Sequence, residues 1–192
     1  AFTAYETGSG ISNYVIVNQP VDDTLTITKH FTGLTAAQMA RIYNNSTSPY
    51  CIEVSDGTGN PPIKCYLSNA AQLTGGSSYS WTLTGLKKDT TYTITERNYR
   101  IPDYLDTVVS GTFTQKETQA GGTVNTITKD LSFTKNTSGE QTASVSVTKT
   151  AFADSVDITN TYTNNFTVRL KKVNSSSGEA LRGAVFKIYG DF

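Results

Sequence analysis

One histidine, two cysteines, one methionine, one tryptophan and five prolines occur among 192 residues, and each scarcity closes off a class of chemistry. With one histidine and two cysteines, the chain assembles neither a zinc site nor a Ser-His-Asp arrangement. His30 itself falls on the solvent-facing parity of its strand. Excess charge of either sign is missing too: 16 Lys and Arg balance 16 Asp and Glu, so nothing points to capture of nucleic acid or of an anionic membrane. No apolar run approaches the roughly 20 residues of a membrane-spanning helix, so direct membrane insertion is not expected. Ser55-Asp56-Gly57-Thr58-Gly59-Asn60 offers oxygen donors but lacks the spacing and closing glutamate of a calcium loop, and reads as a hairpin turn. No metal and no cofactor is expected.

Threonine is what the chain has in excess, 32 residues, alongside 11 tyrosines and 15 glycines. A Thr/Val/Ile/Tyr bias with many Gly, Ser and Asn turn residues predicts an all-β protein. Alternation places strands at Leu25–Phe31, Tyr50–Ser55, Ile63–Leu67, Ser78–Thr84, Thr90–Glu96, Asp103–Thr114, Gly122–Phe133, Gln141–Thr150 and Val156–Tyr162. Thr35-Ala36-Ala37-Gln38 has the form of a capping box and predicts one short helix to about Tyr43. Many short strands with regular turns predict a sandwich.

Three strands carry the same anomaly. In Leu25-Thr26-Ile27-Thr28-Lys29-His30-Phe31, Lys29 shares a face with Leu25, Ile27 and Phe31. In Tyr92-Thr93-Ile94-Thr95-Glu96, Glu96 is in register with Tyr92 and Ile94, and in Val156–Tyr162 Asn160 is in register with Val156, Ile158 and Tyr162. An amine, a carboxyl and a carboxamide therefore all point toward one core. Such groups are costly to bury unless something neutralises or pairs them.

The sequence also repeats a junction. Ile16 and Asn18 stand in the relation of Ile158 and Asn160, and each asparagine is followed by a polar link and a new alternating strand. That strand carries Lys29 in the first case and Lys172 in the second. Residues 1–22 are accordingly expected to close a preceding module, 23–163 to form one complete module, and 164–192 to open the next. Ala1 reads as a cut inside a longer protein.

"LTITKHFTGL", "LTGLKKDTTYTITE" and "VDITNTY", in that order, resemble the B-type (CnaB-like) repeat domains of Gram-positive pilins and surface adhesins. "VRLKKVNSSSGEALRGAVFKIY" resembles the opening of a second such domain. The resemblance implies an immunoglobulin-like β-sandwich that carries a spontaneous intramolecular isopeptide bond. Carried over by position, Lys29 and Asn160 would be joined and Glu96 would be the assisting acid. Lys172 matches the lysine of the next module and Asn18 the asparagine of the preceding one.

The chemistry is consistent with those residue types. Burial disfavours a charged amine and a charged carboxylate alike. A neutral lysine can attack the carboxamide carbonyl, with a protonated glutamate polarising it and moving protons as ammonia leaves. The other reading of the triplet is a Lys29–Glu96 ion pair, with Asn160 bonded only to backbone. Parity by itself favours the ion pair, and the resemblance favours the bond. Cys51 and Cys65 flank a turn-rich stretch and read equally as a disulfide between hairpin arms or as two free thiols.

The implied function is structural and non-enzymatic, apart from self-crosslinking: a stalk segment of a cell-wall-anchored pilin or adhesin, extracellular, on the cell wall or pilus surface. Its partners would be other modules of the same surface protein or pilus. The alternative is a ligand-binding adhesin module that recognises a host extracellular-matrix protein or a glycan.

Overall fold

A computed structural model describes residues 22–73, 75–101, 106–119, 122–136, 141–163, 170–183 and 185–187. Among the described residues eleven strands and one α-helix are formed: β1 Leu25–Thr32, α1 Ala36–Tyr43, β2 Cys51–Ser55, β3 Ile63–Tyr66, β4 Ala71–Gln72, β5 Ser78–Leu83, β6 Thr91–Arg97, β7 Asp106–Thr118, β8 Val124–Leu131, β9 Thr134–Asn136, β10 Thr142–Thr148 and β11 Asp154–Thr163. They make two sheets, ordered β4-β5-β1-β11-β7-β8 and β3-β2-β6-β10-β9. The protein is an all-β sandwich with one short helix. Among the described strands every pairing is antiparallel except that of β1 with β11, which is parallel.

Alternation decides the faces. Along β1 every second residue, from Leu25 through Phe31, is buried, and β6, β10 and β11 repeat the pattern. The inward rows from both sheets merge into one core that includes Ile27, Phe31, Ile52, Trp81, Ile94, Val147 and Ile158. Threonine abundance has its explanation on an outer face, where Thr91 meets Thr148, Thr93 meets Ser146 and Thr95 meets Ser144 across β6 and β10. The helix starts as its capping box requires. Thr35 Oγ1 accepts from the Gln38 amide at 3.3 Å, and Gln38 Oε1 accepts from the Thr35 amide at 2.8 Å. Its apolar side, Met39 and Ile42, joins the core.

Two strands escaped the sequence pattern. β4 and β9 are two and three residues long with every residue exposed to solvent, so no alternation marks them.

Of the two readings of the cysteine pair, the structure has the free thiols. Cys65 stands opposite Ile52 and Cys51 opposite Tyr66, so the two thiols leave opposite faces of the hairpin. Both cysteines are free and buried, with Cys65 in the sandwich core, where burial pushes its thiol up to about 12. A hairpin slipped by one residue would have brought them together; this register separates them.

Candidate functional site

Lys29, Glu96 and Asn160 meet in the middle of the sandwich, each with no exposed surface. Lys29 comes from β1 and Asn160 from the neighbouring β11, while Glu96 reaches across from β6 in the facing sheet. Lys29 Nζ lies 2.8 Å from Glu96 Oε1. Asn160 Nδ2 donates to that same oxygen at 2.7 Å. One carboxyl oxygen therefore bridges the amine and the amide nitrogen.

The surroundings are apolar and aromatic. Nζ sits 5.1 Å from the centre of the Phe31 ring, and Phe31 packs edge-on against Tyr50 and stacks on Tyr162. Burial pulls the Lys29 amine down from the ordinary lysine range to about 8, while the Glu96 carboxylate opposes that shift. Burial first, and then Glu96, raises the Tyr50 phenol well above its usual range.

Hydrogen-bond accounting marks the cluster as unusual. Beyond its contact with Glu96, Lys29 Nζ has no hydrogen-bond partner, and Glu96 Oε2, Asn160 Oδ1 and the Tyr50 hydroxyl have none. Buried polar atoms are ordinarily satisfied. Among the described residues, just one other buried side-chain atom, Thr107 Oγ1, is in the same position. The arrangement holds an amine, a carboxyl and a carboxamide in contact, and leaves the carboxamide oxygen free.

A second buried lysine, which the sequence reading missed, shows what a spent ammonium looks like. Lys149 Nζ donates to the carbonyls of Asp22 at 2.8 Å and Thr150 at 3.0 Å and to that of Phe152, and pairs with Asp154 at 3.3 Å. Asp154 in turn accepts from the Thr150 amide and hydroxyl. All its protons are used, and no carboxamide is among these partners. The signal was present: Lys149 shares the parity of Ala143, Val145 and Val147.

No family model matches the chain, and no curated protein matches it. Among solved structures it is similar to an adhesin and to a pilin. The adhesin, from Mobiluncus mulieris, is described as containing intramolecular disulfide, isopeptide and ester bond cross-links. It aligns at 18% identity over 76% of this chain and 42% of its own, with a TM-score of 0.38. The major pilin of Streptococcus pyogenes aligns in two alanine variants, at 15% and 16% identity, over 72% of this chain and 48% of the pilin, with TM-scores of 0.25 and 0.24. The chain spans less than half the length of each of these proteins.

His30 and Lys172 lie apart from the triplet. His30 is on the outer face of β1, with Nδ1 2.9 Å from the Ser78 hydroxyl and Nε2 3.8 Å from Asp157. Lys172 is exposed, beside a turn in which its carbonyl accepts from the Leu181 amide. Asn18 lies outside the described residues. Among the described residues no cluster of His, Cys, Asp or Glu could hold a metal ion, and no helix is long and apolar enough to cross a membrane. A groove of about 670 Å³ runs between α1 and the β4–β5 edge, with Leu34, Met39, Gln72 and Tyr79 in its lining and the exposed Tyr43 ring stacked on Tyr79.

Proposed function

We propose that the sandwich is a load-bearing structural unit of a cell-wall-anchored pilin or adhesin, held shut by an isopeptide bond between Lys29 and Asn160 that Glu96 promotes. The observation that carries this reading is the single Glu96 oxygen in contact with both nitrogens.

The step balances through that oxygen. An Nζ proton passes to Glu96 Oε1, turning a buried ion pair into a neutral amine and a neutral acid, the direction in which desolvation drives both. The Nζ lone pair attacks Asn160 Cγ. A proton is returned by Glu96 to Nδ2, the Cγ–Nδ2 bond breaks, and ammonia leaves as the Nζ–Cγ amide is completed. The second Nζ proton goes back to Glu96, so the carboxyl ends as an acid. Proximity supplies much of the rate, since the groups need no diffusional encounter.

The topology gives the bond its use. β1 and β11 are the first and last strands of the described sandwich, adjacent and parallel, so tension on their outer ends shears one along the other. A covalent link from Lys29 to Asn160 carries that load directly and removes the roughly 130 intervening residues from the force path. As a loop closure, the link restricts the unfolded chain by roughly 5 kcal/mol if it behaves like a disulfide of that span. Partners in this reading are neighbouring modules of the same surface protein or pilus.

Peptide mapping tests the assignment: a digest is expected to contain one branched peptide joining the Lys29 and Asn160 segments, and two separate linear peptides would refute it. An adhesive role, binding a host matrix protein or glycan, has one observation in its favour, the tyrosine-edged groove beside α1. It would show as binding by the isolated chain that Tyr43→Ala abolishes.

A further inference from the structure

Resting on that reading, we propose that Tyr162 is a positioning residue for the crosslinking step, selecting which end of the Asn160 carboxamide faces Glu96. The two ends of a carboxamide have nearly the same shape and opposite hydrogen-bonding character. Something must keep the nitrogen, and not the oxygen, against the carboxyl if that nitrogen is to be the leaving group.

Tyr162 has the required constraint. Its hydroxyl donates to the Tyr99 carbonyl oxygen. A phenol has one proton, so the oxygen can then only accept. It lies 3.5 Å from Asn160 Nδ2, a long contact on the correct side of the amide. Glu96 Oε1 takes the other Nδ2 hydrogen at 2.7 Å. While Glu96 is ionised, as in the Lys29–Glu96 pair that precedes attack, turning the carboxamide over would set Oδ1 against two acceptors at once. With the nitrogen held by both, Oδ1 remains without a hydrogen-bond partner.

Local structure delivers this device without extra machinery. Tyr162 is two residues beyond Asn160 on β11, so strand periodicity puts both side chains on the inward face. Tyr99 follows Glu96 by three residues, just past the end of β6. The Tyr162–Tyr99 bond thus ties the strand that carries the amide to the chain that carries the acid. The Tyr162 ring is itself buried and stacked on Phe31.

The test follows the mass of the full chain after refolding from denaturant, starting from material with its complete calculated mass, across a range of pH. Wild type is expected to lose one ammonia. Tyr162→Phe is expected to reach the same product about tenfold more slowly, one ordinary hydrogen bond expressed as a rate, with the pH midpoint of the rate unchanged. A rate equal to wild type would overturn the proposal. So would a slower rate whose pH midpoint also moves, because loosened packing that hydrates the Lys29–Glu96 pair changes both. If Tyr162→Phe does not fold, Tyr162→4-methylphenylalanine fills the space of the hydroxyl without accepting a hydrogen bond, and the same slowing is expected. Wild type that keeps its full mass would remove the crosslink itself and this inference with it, an outcome told apart by the wild-type trace alone.

Discussion

Lys29 and Asn160 lie on adjacent parallel strands, staggered by two residues: Ile158 stands opposite Lys29, and Asn160 opposite Phe31. Both side chains point into the core because a stagger of two preserves the face. That relationship lets residues far apart in sequence be joined across one strand spacing, with the acid supplied from the sheet above.

Stability should depend on the link. Asn160→Ala cannot form the bond and leaves the Lys29–Glu96 pair buried without its amide. Loop closure alone predicts a loss of roughly 5 kcal/mol, or a melting temperature lower by on the order of 10 °C or more. Calorimetry of wild type and variant at one pH checks this, and equal melting temperatures would count against a crosslink.

The same variant should respond to pH in a defined direction. Its Lys29 remains a free amine, held near 8 when folded and near the ordinary lysine value of 10.5 when unfolded. Between those values the unfolded chain binds more protons than the folded one, so folding becomes more favourable as pH rises through that window. Below about 8 both states are protonated and the burial penalty is present in full. In the crosslinked wild type the nitrogen is an amide and does not titrate. The stability gap between the two proteins should therefore narrow between pH 8 and 10.5, and a gap that widens there would contradict the placement of Lys29.

Lys149 should behave as a purely structural lysine. Lys149→Met leaves Asp154 buried without its counter-charge, at a cost of about 3–5 kcal/mol. The folded variant should nonetheless lose one ammonia as wild type does. Denaturant titration beside intact mass separates the two effects, and a variant that folds but keeps its full mass would tie Lys149 to the chemistry.

Tyr50 offers the opposite contrast to Tyr162. Its hydroxyl is buried beside Glu96 without a hydrogen bond of good geometry, so Tyr50→Phe should stay within about 1 kcal/mol of wild type and still crosslink. A large loss of stability, or a chain left at full mass, would show that the hydroxyl supports Glu96.

Most of the sandwich was legible because half-buried strands announce themselves by alternation, and the triplet was legible because it violates that alternation. Lys29, Glu96 and Asn160 each occupy a core position in an otherwise regular strand. Lys149 breaks the pattern in the same way within the expected strand Gln141–Thr150, although β10 itself ends one residue before it. The cysteine pairing was not legible because a hairpin register is set by its turn, and one residue of slip reverses every face. β7 runs to Thr118, four residues beyond the expected Thr114, because β8 continues to pair with it there. Gln115-Lys116-Glu117-Thr118 is polar throughout, so no apolar alternation marks that end of the hairpin.

The most direct test of the central claim is the intact mass of wild type beside Glu96→Ala, both under reducing conditions. The wild type is expected to be lighter than its sequence by one ammonia, and the variant to keep its full calculated mass. Two proteins at full mass would contradict it, leaving Lys29, Glu96 and Asn160 as a buried polar cluster with no covalent product.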